Sequence, residues 1–323
     1  MKHKLSITLI LLGMFLITQF IGLYVINAYT PIQKTIINDS TGELQTIIID
    51  PLPIIFQNNQ LVEEIGFVNT LIQVIIPSFI FAILLILILT KYKLKLVIKL
   101  WFFLVIFIAI FLALNALLMK YPDSWKISMG VAFILTFLKI IRPSVIIHNV
   151  TELMIYPGIS AIFVPILSVW SIIILLIIIS IYDMWAVWHS GIMQKMAKFQ
   201  MEEIGVFGGF LIPSISKQVR DKIRKLRKTN KKDKKIKISL AILGGGDVIF
   251  PIITAGVFMR AQQLGVISAS VIPVELFIIF GAFFGLGFLL MISQKKKFYP
   301  AMPFITAGIF LGLLIWKILT LIN

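Results

Sequence analysis

The stretch VWSIIILLIIISIYDMWAVWH, from Val169 to His189, carries one aspartate, Asp183, inside an otherwise apolar segment. A second stretch, ISLAILGGGDVIFPIITAGVFM, runs from Ile238 to Met259 and carries Asp247. An ionisable group deep in a bilayer costs at least about 2.5 kcal/mol, which makes it a candidate for function by default. The two aspartates are therefore the first candidate site residues.

Composition places the whole chain in a membrane. Hydrophobic residues make up 59% of the 323, and the mean hydropathy is +1.02, more than a soluble core of this length requires. We predict an all-α polytopic membrane protein with nine transmembrane helices, because nine stretches approach the roughly 20 residues that cross a bilayer. The predicted spans are Leu5–Ala28, Phe67–Thr90, Val97–Met119, Ile127–Ile141, Val150–Leu167, Val169–His189, Ile238–Met259, Val266–Ile292 and Phe298–Ile322.

Two of these spans leave an alternative open. The first could be taken for a cleavable signal peptide, but Leu5–Ala28 exceeds the 7–15 residues of a signal core, so we interpret it as a helix. Pro165, with no polar break between Leu167 and Val169, leaves room for a kinked or re-entrant connection between the fifth and sixth spans. The absence of cysteine excludes disulfides and thiolate metal sites.

The basic residues predict the orientation. Most of the 30 Lys and Arg residues fall in loops on one side, which by the positive-inside rule places the N-terminus in the cytoplasm and the C-terminus outside. The exceptions on the outer side are Lys34, Lys120, Lys126, Arg260 and Lys317. In the first outer loop, the run Ile47–Pro51 predicts a short strand or hairpin at the membrane surface.

The long hydrophilic segment 194–237 is strongly basic. Beside a membrane helix such a run fixes topology and attracts anionic lipid, so we favour lipid over nucleic acid as its partner. Its glycine and proline content over 205–213 predicts a mobile hinge. We predict a cytoplasmic linker between a six-helix part, 1–193, and a three-helix part, 238–323.

The two aspartates are predicted at similar depths. Asp183 lies roughly 9 Å and Asp247 roughly 14 Å from the cytoplasmic ends of antiparallel neighbouring spans, at 1.5 Å per residue. Both carboxyls can then share one polar pocket. The three glycines before Asp247 are poor helix formers, and they are explained either by close helix packing or by space for an extended peptide beside the carboxylate.

Three short motifs occur along the chain in a fixed order. They are Tyr182-Asp183 in the sixth span, Gly244-Gly245-Gly246-Asp247 in the seventh, and Pro300-Ala301-Met302 at the start of the ninth. In this order and topology they resemble the Tyr-Asp, G-x-G-D and Pro-Ala-Leu motifs of the presenilin and signal peptide peptidase family of intramembrane aspartyl proteases. Met302 replaces the leucine of the third motif. A chain this compact resembles the microbial presenilin homologues, and archaeal ones in particular.

The resemblance implies an aspartic endopeptidase of the cell membrane that cleaves peptide bonds within transmembrane segments, with no metal or cofactor. Asp183 and Asp247 would share one proton, so that one activates water while the other polarises the scissile carbonyl. The expected partners are transmembrane peptides and membrane lipids. The residues implied to bind substrate are Tyr182, Gly244, Gly245, Gly246, Pro300, Ala301 and Met302.

Other functions are compatible with paired intramembrane acids. A proton-coupled transporter or channel would use them as a relay, but it predicts repeated halves, and no convincing inverted repeat is present. A non-catalytic scaffold for membrane segments would not need both aspartates. A type IV prepilin peptidase would explain the G-x-G-D string but not the other two motifs. Glu152, at the start of the fifth span, either snorkels to the interface or bonds a neighbouring helix.

Overall fold

The protein is described from a computed structural model. The described residues are 5–30, 32–37, 44–49, 95–142, 144–190, 208–214, 239–267, 272–293 and 299–322, together with 77 and 81. Eight helices occur in these ranges: α1 (Leu5–Ala28), α2 (Lys95–Leu118), α3 (Ser124–Ile141), α4 (Val145–Phe163), α5 (Val169–Trp185), α6 (Gly245–Gln263), α7 (Val274–Ile292) and α8 (Met302–Ile322). The predicted second span, Phe67–Thr90, lies almost wholly outside them.

Seven of these eight helices are long and apolar enough to cross a membrane, and α6 is the exception. Almost every residue of α6 from Val248 to Ala261 is buried. It packs against α1, α4, α5 and α7, so neighbouring helices rather than lipid surround it. A helix inside a bundle needs less hydropathy than one that faces lipid, which explains its weaker apolar signal.

Small residues allow several helices to approach closely. On α4, Gly158 lies against the backbone of Ala109 on α2. Gly281 on α7 and Gly308 on α8 face each other backbone to backbone, along the most extensive helix pair of the described bundle. A side chain at any of these positions would force the helices apart, as expected for membrane packing through small residues.

The predicted seventh span is corrected at its start. Residues Ser239–Gly244 form a strand, β4, and the helix begins only at Gly245. Asp247 is therefore the third residue of α6, not a residue in the middle of a span. Gly244 ends the strand, and pairing with another strand satisfies the backbone of Ser239–Gly244.

Other predicted boundaries shift by a few residues. The predicted eighth span is helix α7, which starts at Val274, directly after Pro273. The predicted ninth span is helix α8, which starts at Met302, after Pro300 and Ala301. The fifth and sixth spans are separate helices, joined by a tight turn at Val164–Ile166 that contains Pro165. Helix α5, which follows this turn, is capped by Ser168, whose hydroxyl accepts a hydrogen bond from the Ser171 N–H.

Two antiparallel hairpins complete the described structure. Strands β1 (Ile32–Ile37) and β2 (Leu44–Ile49) pair with Ile32 opposite Ile49, which confirms the predicted strand for Ile47–Ile49; Asp50 and Pro51 lie outside the described residues. Strand β3 (Gly209–Ser214) pairs with β4, with Gly209 opposite Gly244. The hinge predicted over 205–213 is therefore wrong for residues 209–213, which are strand. Residues 194–207 and 215–237 of the basic segment lie outside the described residues.

Candidate active site

Asp183 lies near the C-terminal end of α5, and its side chain faces the bundle. The residue is only 6% exposed. Its Oδ2 accepts a hydrogen bond from the backbone N–H of Met302 at 3.0 Å, and the Ala301 N–H is directed at the same carboxylate. These N–H groups form the N-terminus of α8, where unpaired donors and the helix dipole favour an anion.

The chain just beyond Asp183 widens from an α-helix into a single π-helical turn, Ala186–Ser190. The Ala186 N–H is bonded to the carbonyls of both Tyr182 and Asp183. Such turns occur often at functional sites, because they rotate the side chains that precede them relative to those that follow. Next to Asp183, Ser180 donates a hydrogen bond to Thr306 of α8 at 2.8 Å. Helix α5 is thus tied to α8 at two neighbouring points.

Asp247 occupies the third position of α6, and Gly244 is the N-cap residue. The Asp247 carboxylate accepts a hydrogen bond from the Gly244 N–H and lies close enough to Asp183 for the two charges to interact. An acidic side chain at this position that reaches back to the N-cap N–H is one half of a capping box. The helix start therefore fixes the orientation of the Asp247 carboxylate.

The three glycines of the motif have different surroundings. A Cβ on Gly244 would lie 3.0 Å from Asp247 Oδ2, and one on Gly245 would lie 3.1 Å from the ring of Tyr156. A Cβ on Gly246 would meet only the ring of Phe250, at an ordinary 3.8 Å. Close packing therefore explains Gly244 and Gly245. It does not explain Gly246, which is exposed beside Asp247.

The structure brings most of the predicted site residues together. Asp183, Asp247, the glycines and the Pro300–Met302 segment meet where α5, α6 and α8 adjoin, with Pro300 and Met302 buried. Tyr182 is the exception. Its side chain is 54% exposed and packs against Trp185, with the ring centroids 6.3 Å apart. This follows from the 100° step between successive helical residues.

Comparison with known proteins identifies the family. The family described as "Signal-peptide peptidase, presenilin aspartyl protease" matches residues 46–322, most of the chain. The chain belongs to this family. As a member of the presenilin and signal peptide peptidase family, it is an aspartic intramembrane protease. A search of curated proteins gave no match.

Solved structures of the presenilin family share the fold. One, described as a presenilin family intramembrane aspartate protease in space group C222, has a TM-score of 0.60 at 17% identity and covers 97% of this chain and 99% of its own. Another, in space group P2, has a TM-score of 0.55 at 19% identity and covers 96% of both chains. At these identities the likeness concerns the fold.

Sequence reasoning missed Tyr156, which lies beside the family motif. Its ring packs over Gly245 and meets Phe210 of β3 edge-on, with centroids 5.4 Å apart. The buried hydroxyl lies within electrostatic range of Glu152 and Asp247 but makes no hydrogen bond of standard geometry to a described residue. The available signal was the spacing: Glu152 and Tyr156 are four residues apart and share one helix face.

Glu152 does not reach an interface. It lies on α4, is buried, and pairs with Lys139 of α3 at 2.6 Å. Of the two expectations for this residue, contact with a neighbouring helix is the one the structure bears out.

Proposed function

We propose that Asp183 and Asp247 form the catalytic dyad of this protease and hydrolyse peptide bonds within transmembrane segments of membrane proteins. The observation that carries the proposal is the convergence of the two carboxylates from separate helices. Each carboxylate also accepts a hydrogen bond from a backbone N–H at a helix N-terminus. For Asp183 this is the start of α8, and for Asp247 it is the start of α6. Fixed donors of this kind hold both groups in one orientation before the substrate arrives.

The chemistry needs one proton between the two carboxyls. Because two adjacent carboxylates repel each other, one of them retains a proton at neutral pH. The ionised carboxylate takes a proton from water, which attacks the scissile carbonyl carbon. The protonated carboxyl donates a hydrogen bond to the carbonyl oxygen as negative charge develops there. Collapse of the tetrahedral intermediate then releases the amine, which receives a proton from the dyad.

The β3–β4 hairpin offers an edge to an unwound substrate. The Leu211 N–H and C=O both bond the Asn149 side chain, so they point away from β4. In an antiparallel pair, Ile242 opposite Leu211 must point its own N–H and C=O to the outer edge of β4. This edge runs directly into Gly244 and Asp247. A transmembrane helix must unwind before attack, and strand pairing here would hold it open.

Substrate contacts are proposed at the three motifs. Gly246, the least packed of the glycines, leaves room beside Asp247 for the peptide backbone. The segment Pro300–Met302 borders Asp183 from the other side. Tyr182, on the outer face of α5, would meet the substrate as it enters from the bilayer.

We also propose the finer topology. The chain would cross the membrane nine times, with the N-terminus in the cytoplasm and the C-terminus outside, on the basis of its hydropathy and charge pattern. Parts 1–193 and 238–323 would each contribute one aspartate. The basic segment between them would contact anionic lipid.

Cleavage of a defined peptide tests the proposal. Wild-type protein, Asp183→Ala and Asp247→Ala are reconstituted in vesicles with a single-span model peptide, and products are mapped by mass spectrometry. Asp123→Asn is the matched control, because that carboxylate is exposed in a loop between α2 and α3. The expected result is cleavage within the span by wild type and by the control, and none by either aspartate variant.

The same vesicles address the transporter alternative. If no peptide in a broad set is cleaved, while proton flux across the vesicle membrane depends on Asp183 and Asp247, the dyad is a relay and the proposal fails. Cleavage without flux supports the protease.

A further inference from the structure

A buried polar cluster joins α3 to α4 at the end of the bundle that carries the β3–β4 hairpin. Lys139 of α3 contacts three side chains of α4: Glu152 Oε1 at 2.6 Å, Thr151 Oγ1 at 3.1 Å and His148 Nδ1 at 3.3 Å. The side chains of Lys139 and Glu152 are each 3% exposed. A buried charge of this kind requires both a counter-ion and complete hydrogen bonding.

The cluster fixes which nitrogen of His148 carries the proton. The Lys139 ammonium has only donors, so His148 Nδ1 accepts its hydrogen bond. In the neutral ring Nε2 must then carry the hydrogen, and it lies 2.7 Å from the carbonyl oxygen of Gly209. His148 therefore donates to the backbone of β3.

The next residue, Asn149, bonds the same strand edge. Its Nδ2 donates to the Leu211 carbonyl at 2.8 Å, and its Oδ1 accepts from the Leu211 N–H at 3.0 Å. The side-chain amide thus mimics the backbone of a neighbouring strand. Gly209 and Leu211 are two residues apart, so both point to the same outer edge. Pro213, next on that edge, has no N–H to offer.

We propose that His148 and Asn149 are positioning residues that occupy the outer edge of β3, with the Lys139–Glu152 pair holding His148 in the required tautomer. This inference rests on the proposed function, because it assigns substrate pairing to the opposite edge, on β4. An open strand edge pairs with any extended chain. Because the outer edge of β3 is occupied, an extended peptide pairs with the outer edge of β4, which leads into Asp247. The same bonds fix the position of the two strands relative to α4.

The capped edge also connects to the site through packing. Phe210, between the two bonded residues of β3, is fully buried and lies edge-on against Tyr156, which covers Gly245. Release of β3 from α4 would therefore disturb the start of α6 and the register of a peptide held on β4, without removing either aspartate.

Hydrogen exchange tests the bonding at the outer edge of β3 independently of the protein's own protease activity. In Asn149→Leu, the Leu211 amide should exchange about tenfold faster than in wild type, as expected for the loss of one or two hydrogen bonds. Asn115→Leu is the matched control, because Asn115 also bonds through both side-chain atoms, to Tyr29 and Ser124. Unchanged protection at Leu211, or an equal change in the control, would overturn the proposal.

Cleavage provides the functional half of the test. Asn149→Leu should raise KM and spread cleavage over several neighbouring peptide bonds, while the control keeps the wild-type pattern. A wild-type pattern and KM in Asn149→Leu, despite faster exchange at Leu211, would contradict the positioning role. If wild type cleaves no peptide, the proposed function fails while the exchange result still reports on the edge.

Two variants at His148 provide a second test in case Asn149→Leu does not fold. His148→Gln keeps an N–H donor near the position of Nε2, whereas His148→Leu does not. The proposal expects His148→Gln to retain most of the cleavage register and His148→Leu to lose it. Equal behaviour of the two variants, both like wild type, would rule out the bond to Gly209 as a positioning contact.

Discussion

Asp183 and Asp247 are brought near each other by two different structural arrangements. Asp183 lies near the C-terminal end of α5, a helix with many exposed apolar residues, whereas Asp247 lies in the first turn of α6, which other helices surround. The C-terminal end of a helix disfavours an anion, and the N-terminal end favours it. For Asp183 the N-terminus of another helix, α8, supplies the missing donors. For Asp247 its own helix does.

The difference shows where each half of the site is vulnerable. Asp247 depends on local sequence, because its partner, Gly244, is three residues away. Asp183 depends on the docking of α8 against α5, through Met302 and the Ser180–Thr306 bond. Local changes should therefore disturb Asp247, whereas changes in helix packing should disturb Asp183.

The largest effect expected comes from removing either charge. Asp183→Asn and Asp247→Asn should each lower kcat at least roughly 10⁴-fold, because one carboxyl cannot perform both proton transfers. The double variant should fall no further than either single one. Single-turnover cleavage in vesicles measures these losses. If the loss in the double variant equals the product of the two single losses, the two groups act independently.

Met302→Pro tests the donor that α8 provides. Met302 is the first residue of its helix, where proline fits without distortion but lacks the N–H that Asp183 accepts. The loss of a hydrogen bond to a charged group costs about 1.5–3 kcal/mol, so cleavage should fall roughly 10- to 100-fold. Met302→Leu, which keeps the N–H, should stay near wild type. Equal losses in both would indicate a role for the side chain instead.

Adjacent glycines provide a matched test on the Asp247 side. Gly245→Ala places a methyl group against Tyr156, which is buried against Phe210, and should destabilise the protein by about 1–3 kcal/mol. Gly246→Ala has room and should change stability by less than about 1 kcal/mol. Thermal unfolding in detergent compares the two. The reverse order would mean that Tyr156 does not constrain this turn.

The smallest effect concerns the second contact between α5 and α8. A double-mutant cycle with Ser180→Ala and Thr306→Val should give a coupling free energy of about 0.6 kcal/mol, a typical value for hydrogen bonds between membrane helices. Zero coupling would show that the Met302 contact alone carries the docking near Asp183.

Much of this fold is visible in the sequence, since apolar length predicts lipid-facing helices such as α1 and α5 within a few residues. The start of α6 was predicted wrongly, because the apolar run Ser239–Gly244 fits a membrane span as well as a strand, and its pairing with β3 makes it a strand. The motifs predict the two aspartates as the candidate catalytic residues. The Lys139–Glu152 pair and the Asn149 bonds were not predicted, since they join residues brought together only by tertiary packing.

Photolabelling tests most directly whether the two aspartates form one site. A peptide mimic with a hydroxyl at the scissile position imitates the tetrahedral intermediate and should bind far more tightly than substrate. We expect its photoreactive form to label both α5, within Val169–Trp185, and α6, within Gly245–Gln263. Labelling should disappear in Asp183→Asn and in Asp247→Asn alike. Labelling that persists in one of these variants, or that is confined to one helix, would contradict the shared site.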